Sequence, residues 1–440
     1  MGTAVENIFS AKLGREARAG ELVIVEIDAS VIQDINGPPL TDAFEQLGAY
    51  ATVNSPRRHM MTLDHIAPAA SAAAANNHNK MRGFARRHGL ELVEEGQGIC
   101  HQRMVESGRV KPGAIVLGTD SHCCHYGVLN AFSAGVSVAE EAVILAGDRC
   151  WLRIPESIRV TFAGRPADNV TGKDLALAMV RALTQSGAIY QCLEFGGEAL
   201  GHLSIDGRAA ICNMGIEAGA KGAIMPCDDV LRQWLAQRGI SDYTPAAPDA
   251  SARYAREITI DASSLRPLVA LPPDIDQVVC VDSLERIAVN QVVVGGCTNG
   301  RFEDFAQVAA ILEGRQIHPD VRFVAAPASR EIVIEMERQG IYRILLESGV
   351  MVLPPGCGPC TGLHGGLLGD GDVCLATTNR NMPGRMGSRR AQVYIASPVV
   401  AAHTALAGYI TAGDVAVLNA PLGKHTALAG NITAGGDAHC

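Results

Sequence analysis

The stretch Gln291-Val-Val-Val-Gly-Gly-Cys297-Thr-Asn299-Gly300 decides how this chain folds. Its valines make a short β-branched apolar run, which predicts a buried strand. Two glycines end the run and place a cysteine, a threonine and an asparagine just past its carboxyl end. Arg301–Gly314 follows, with Phe302, Phe305, Val308, Ala309 and Leu312 at helical spacing. A strand, a polar motif and then a helix is one unit of a parallel α/β sheet.

The same order recurs along the chain. Met60–Leu63 leads to Asp64-His65, and Ala114–Leu117 leads to Gly-Thr-Asp120-Ser-His122. Val350–Leu353 leads to Cys357 and Cys360, and Val373–Ala376 leads to Thr-Thr-Asn379-Arg380-Asn381. Open α/β sheets bind ligands beyond the carboxyl ends of their strands. Five such placements predict several sheets turned toward one centre. Glu21–Asp28 and Val321–Ala325 read as further strands, Arg330–Ser348 as a helix, and Ala67–Ala75 as alanine-rich helix.

With 440 residues the chain is long enough for two or three domains. Breaks are expected near Arg153–Ser157 and in the Pro/Asp/Ala-rich stretch Thr244–Arg253. Hydrophobic residues make up 48% and charged residues 19%, a balance that suits a folded enzyme and not a disordered chain. The net charge of −9 gives no general attraction to nucleic acid or to an anionic membrane. No apolar run approaches a membrane span, and Met1–Arg18 mixes acids and bases without the apolar core of a signal peptide. The 13 cysteines are odd in number and scattered, which fits a reducing cytosol better than a disulfide framework. No phosphate-binding loop or dinucleotide glycine fingerprint is present. His403–Gly413 (HTALAGYITAG) is repeated almost unchanged at His425–Gly435 (HTALAGNITAG), and two copies make no solenoid.

Cys357-Gly-Pro-Cys360 admits three readings: a redox dithiol, half of a zinc site completed by Cys297 and Cys374, or a cluster site. The Gly-Gly-Cys297-Thr-Asn299 turn favours the cluster. Glycine lets the backbone approach a bulky inorganic core, and hydroxyl and amide groups can bond its sulfides. Three thiolates also leave one metal position open, as a catalytic site requires.

Asp64-His65, His101 and Asp120-Ser-His122 place three imidazoles among carboxylates. Any one alone reads as a satisfied structural histidine, as do His59, His78 and His202. Together they look like acid–base equipment, because a carboxylate fixes an imidazole's tautomer and keeps it charged. Arg380 and Arg385 lie on a Gly/Pro-bounded loop and offer planar forks for carboxylates. Glu217, amid small apolar residues, needs a partner such as a histidine. Cys123 and Cys124 are not assigned as ligands.

Taken in order, the motifs resemble the aconitase superfamily, and most of all its 3-isopropylmalate dehydratase and homoaconitase branch. The matching residues run from Asp64-His65 through Cys100-His101, Asp120-Ser-His122, Asn213-Met-Gly-Ile-Glu217, Cys297-Thr-Asn299 and Cys357-Gly-Pro-Cys360 to Asn379-Arg380-Asn381 and Gly384-Arg385. The resemblance covers the chain to about Gly413. It implies three α/β/α domains packed around a central iron–sulfur site, expected here at 1–155, 156–285 and 286–413, with a repeated tail at 414–440.

The resemblance further implies a 4Fe–4S cluster on Cys297, Cys357 and Cys360. It pairs Asp64 with His65 as donor of a proton to a leaving hydroxyl, His101 with Asp120, and His122 with Glu217. It gives Arg380 and Arg385 the substrate carboxylates. The implied activity is a hydro-lyase that isomerises a hydroxy-dicarboxylate, isopropylmalate first, with homocitrate, citramalate and dimethylmalate as alternatives. In the family the carbon base is a serine on a mobile swivel domain, and this chain is expected to end before that domain. A separate small swivel-type subunit is therefore expected, with little activity from this chain alone. A cluster-free RNA-binding regulator is the reading from another class. Cys123-Cys124-His125 stands where the family usually carries threonines, and Ser137-Val-Ala-Glu140-Glu141 replaces a common Gly-Ser/Thr-Asp/Glu sequence.

Overall fold

Three sheets of mainly parallel strands carry the chain, and the ends of their strands explain where the motifs fall. A computed structural model describes residues 2–48 and 51–413. The second copy of the repeat lies outside the described residues, while His403 to Ala407 of the first copy close the helix Pro398–Ala407.

The first sheet has five strands in the spatial order Glu91–Val93, His59–Thr62, Ala29–Gln33, Ile115–Gly118, Phe132–Gly135, all parallel. The chain starts in the middle and winds outward in both directions. The switch between Ala29–Gln33 and Ile115–Gly118 opens a crevice at their carboxyl ends, where Asp34 and Asp120 sit. The second sheet has four parallel strands in the order Gly222–Ile224, Cys192–Gly196, Ser157–Ala163, Arg256–Asp261.

The third sheet repeats the logic of the first. Its parallel strands run Gln392–Ala396, Val373–Ala376, Gln291–Gly295, Arg322–Ala326, Met351–Val352. The order again switches, between Gln291–Gly295 and Val373–Ala376. Cys297 follows one of these strands and Asn379-Arg380 follows the other. Leu268–Ala270 and Val278–Cys280 add an antiparallel edge to this sheet. These two strands come from residues that the sequence reading placed in the second domain.

Elsewhere the structure differs locally from the sequence reading. Leu22–Glu26 is a strand, but it pairs antiparallel with Arg149–Arg153 in a separate ribbon. Arg330–Ser348 is two helices, Arg330–Arg338 and Ile341–Glu347, because Gly340 at φ +76° turns the backbone left-handed between them. Helix does not run through Ala67–Ala75 but begins at Ala72, where the Ser71 hydroxyl caps it by accepting from Ala74 N–H at 3.1 Å.

Buried residues of all three sheets form one continuous apolar cluster. Polar stitches hold the sheets' active ends together. Ile99 N–H donates to the Ala328 carbonyl at 2.8 Å, and Met225 N–H donates to the Gly127 carbonyl at 3.0 Å.

Candidate active site

Cys297, Cys357 and Cys360 line one cavity of about 90 Å³ together with His65, His101, Asp120, His122, Asn379, Arg380 and Arg385. They arrive from segments beyond the carboxyl ends of six strands: Cys357 and Cys360 share one, Asp120 and His122 another, Asn379, Arg380 and Arg385 a third, and His101 lies on the helix Cys100–Glu106. All three thiols are buried. Asn379 lies between two of them, its Nδ2 3.5 Å from Cys297 Sγ and its Oδ1 3.7 Å from Cys360 Sγ. Arg385 Nη2 is 3.7 Å from Cys360 Sγ. The neighbouring Cys357 thiol, with Arg385 beside it, holds Cys360 well below the usual thiol range.

Asp120 is the hub of the acid–base groups. Its Oδ1 lies 3.0 Å from His101 Nε2 and 3.4 Å from His122 Nδ1, and its Oδ2 lies 3.4 Å from His65 Nε2. Burial works against its charge. The three imidazoles outweigh burial and hold Asp120 well below the usual carboxylate range. His65 faces Asp64 Oδ2 through Nδ1 at 3.2 Å. Burial opposes a cation at His65 as well, but Asp64 and Asp120 raise it well above the ordinary histidine value. His122 Nε2 meets Glu217 Oε1 at 2.9 Å and is raised too, with Asp120 and Glu217 overcoming burial.

Arg380 Nε donates to Glu217 Oε1 at 2.8 Å, and its Nη2 reaches Ser121 Oγ at 3.4 Å. One edge of this guanidinium is thus spent on fixing Glu217, while the rest faces the cavity. The eleven site residues named from the sequence all fall in or against this one region. Asp64 sits just behind the wall, where its carboxylate accepts from Thr62 Oγ1 at 2.8 Å and from Cys100 N–H at 2.7 Å.

Asp64, His65 and Cys100 bring ligand atoms within 4.8 Å of one another. The Asp64 carboxylate is already engaged by two donors, and burial pushes the Cys100 thiol well up. Hydrogen bonds tie this cluster together.

The zinc reading with Cys374 as a fourth ligand is overturned. Cys374 lies opposite Gln291, at the start of the strand that ends at Gly295, and Cys297 follows that strand. Four residue steps, roughly 13 Å of strand, separate the two levels. Burial keeps the Cys374 thiol strongly protonated.

Several residues that build the site carry no obvious motif. Asp34 accepts from His65 N–H at 2.8 Å and from Ile66 N–H at 2.9 Å, and so fixes the backbone of the histidine. Arg301 is buried and donates to the carbonyls of Thr298 at 2.6 Å and Cys297 at 2.9 Å. Lys173, in the first turn of the helix Gly172–Leu183, is fully buried. Its Nζ donates to Thr377 O at 2.8 Å and Thr378 O at 2.7 Å, the carbonyls just before Asn379-Arg380. Burial lowers Lys173 to about 7. The signal in the sequence was a Lys-Asp pair opening a Leu/Ala-rich helix.

Comparison with known proteins agrees with this architecture. A model of the aconitase family (aconitate hydratase) matches residues 6–286 and 281–408. The 3-isopropylmalate dehydratase large subunit 1 of Methanopyrus kandleri is 41% identical over 410 residues, covering 93% of this chain and 98% of that protein. The homoaconitase large subunit of Thermus thermophilus is 42% identical over 414 residues, covering 93% of this chain and 96% of that protein. The crystal structure of Thermococcus kodakaraensis aconitase X (holo-form) superposes with a TM-score of 0.51 at 12% identity, covering 96% of each chain. At that identity the likeness speaks for the fold alone. Among the described residues no helix is long and apolar enough to cross a membrane.

Proposed function

The chain belongs to the aconitase family, and from that premise we propose that it is the large subunit of an iron–sulfur hydro-lyase that isomerises a hydroxy-dicarboxylate, 3-isopropylmalate first. The observation that carries this reading is the meeting of three thiols, three carboxylate-paired imidazoles and two arginines at one cavity.

The residues present fit a cluster. Three soft donors converge, one fewer than a closed site uses, and an amide and a guanidinium stand within reach of their sulfurs. A 4Fe–4S cluster on Cys297, Cys357 and Cys360 supplies a Lewis-acidic iron when bound.

The chain's own residues supply the rest. Arg380 and Arg385 bind the two substrate carboxylates, because a guanidinium matches a carboxylate edge to edge. His65 holds a proton at neutral pH and passes it to the departing hydroxyl, with Asp64 orienting the ring from Nδ1. His101 with Asp120, and His122 with Glu217, keep the neighbouring protons fixed in direction. Ile35 and Ile99 give the cavity an apolar wall that suits an alkyl-bearing substrate. Removal of the carbon-bound proton is assigned to a base on a small swivel-type subunit, in keeping with the large-subunit names of the relatives.

The test is anaerobic reconstitution of the chain, addition of a small-subunit partner, and a hydration assay over isopropylmalate, homocitrate, citramalate and dimethylmalate. Bound iron and sulfide with turnover of one of these acids is expected. A chain that holds neither iron nor sulfide, or that turns over none of them with its partner, would falsify the reading.

A further inference from the structure

His125 is buried, and the mechanism above does not use it. Its Nδ1 lies 3.3 Å from Asn213 Nδ2. An amide nitrogen can only donate, so this ring nitrogen accepts, and the ring proton belongs on Nε2. Among the described residues Nε2 has no hydrogen-bond partner. Burial, with Arg301 and two other histidines nearby, holds His125 well below the ordinary value and keeps it neutral.

Asn213 is fully buried as well. Its Oδ1 takes two donors, Thr298 Oγ1 and Asn379 Nδ2, each at 3.1 Å. Asn379 Nδ2 in turn stands 3.5 Å from Cys297 Sγ. An unbroken line of contacts therefore runs from His125 through Asn213 and Asn379 to a cysteine sulfur. Each amide has two orientations, and a half-turn exchanges its donor for its acceptor. If Asn213 turned, its NH2 would face the NH2 of Asn379. Relief would require Asn379 to turn too, which would set its carbonyl oxygen against the Cys297 sulfur and carry its NH2 over to the Cys360 sulfur.

We propose that His125 is a positioning residue that, by accepting from Asn213, fixes both amides so that Asn379 presents its N–H group to the sulfur of Cys297. Hydrogen-bond donors to the sulfurs of an iron–sulfur cluster stabilise its more negative, reduced form. His125 therefore helps to set the reduction potential of a cluster it does not touch. The inference rests on the cluster assignment made under Proposed function.

The experiment measures the midpoint potential of the reconstituted full chain by EPR-monitored titration, with iron and sulfide counted per chain. Three proteins are compared: wild type, His125→Leu and His125→Asn. Leucine removes the acceptor. Asparagine places an oxygen close to where Nδ1 stood. His125→Leu should bind the cluster in full and shift its potential, while His125→Asn stays near wild type. Equal potentials in all three overturn the inference and leave the cluster assignment standing. A potential that shifts equally in both variants also overturns it, because general repacking and not the acceptor is then responsible. Wild type without a cluster overturns the assignment and this inference with it. If His125→Leu does not fold, His125→Met makes the same comparison with a long apolar side chain.

Discussion

The backbone N–H of Cys357 donates to the carbonyl oxygen of Asp64 at 2.9 Å, which fastens a candidate cluster ligand of the third sheet to the acid–base pair of the first. The loop that follows is tied down too. His364 Nε2 lies 3.1 Å from the His65 carbonyl, and Thr361 Oγ1 donates to the same oxygen at 3.5 Å. His65 and the Cys357–Cys360 turn are therefore fastened to each other by hydrogen bonds. Such placement is what a reaction needs when a hydroxyl must be held and protonated together.

Asp120→Asn tests the hub. The amide keeps the shape but removes the charge that three imidazoles share. Turnover should fall by about 10²–10⁴-fold, the usual size of an acid–base contribution. The pH profile gives a second readout. His65 is raised in the native site, so its proton is lost, and activity with it, as pH climbs through that raised value. Without Asp120 the alkaline limb should move to lower pH. An unchanged limb would show that Asp120 does not govern the proton of His65.

Arg380→Lys separates substrate binding from fold. Lysine keeps the charge but cannot hold Glu217 and a substrate carboxylate at once, because it lacks the planar fork. A charge-assisted hydrogen bond contributes about 1.5–3 kcal/mol, so KM should rise roughly 10–100-fold. Thermal stability should stay close to wild type. Steady-state kinetics and a melting curve decide this. A KM within twofold of wild type would remove Arg380 from the substrate site.

Much of this site was legible because it is written in short motifs at strand ends. Cys297, Cys357-Gly-Pro-Cys360 and Asp120-Ser-His122 each follow a run of apolar residues, and the parallel sheets put those ends side by side. The partners that tune the motifs were hidden. Asp34 reaches His65 across 31 positions, and Lys173 reaches Thr377 across 204. No local periodicity encodes such pairs; they exist only once the sheets pack. The same holds for Leu22–Glu26, whose sequence reads as a strand but whose antiparallel partner lies far along the chain. Gly340 shows the opposite failure. Arg330–Ser348 reads as one helix, yet the left-handed backbone at Gly340 splits it in two.

Lys173→Met examines a clamp remote from the chemistry. The carbonyls of Thr377 and Thr378 are satisfied by one buried Nζ. Methionine fills the space and donates nothing. Each carbonyl left without a donor costs about 1–3 kcal/mol, partly offset because a buried amine is removed. A net loss of about 2 kcal/mol is expected in thermal unfolding, with a raised KM because the loop carrying Arg380 loosens. A variant as stable as wild type with unchanged KM would show that the clamp is dispensable.

Glu141→Gln tests a buried relay beside the first sheet. Glu141 bonds Ser30 Oγ, Ser30 Oγ lies 2.8 Å from His59 Nδ1, and His59 Nε2 lies 3.0 Å from Asp148 Oδ1. Burial pushes the Glu141 carboxyl up from 4.5 to about 8 and lowers His59, so both are neutral at pH 7. The neutral carboxyl can hand its hydrogen to Ser30, whose own hydrogen then serves His59. Above pH 4.5 the unfolded chain releases the Glu141 proton while the folded chain keeps it, so the unfolded state binds fewer protons. Stability therefore declines as pH rises from that point and levels off above about 8, by about 1.4 kcal/mol per pH unit at most. Glutamine does not titrate and is free of this penalty. Melting curves should place Glu141→Gln close to wild type near pH 5, within about 1 kcal/mol, and ahead of it near pH 8 by roughly 2–4 kcal/mol. A difference that stays constant across that range would mean that Glu141 is ionised in the folded protein and that the relay is held by the carboxylate form.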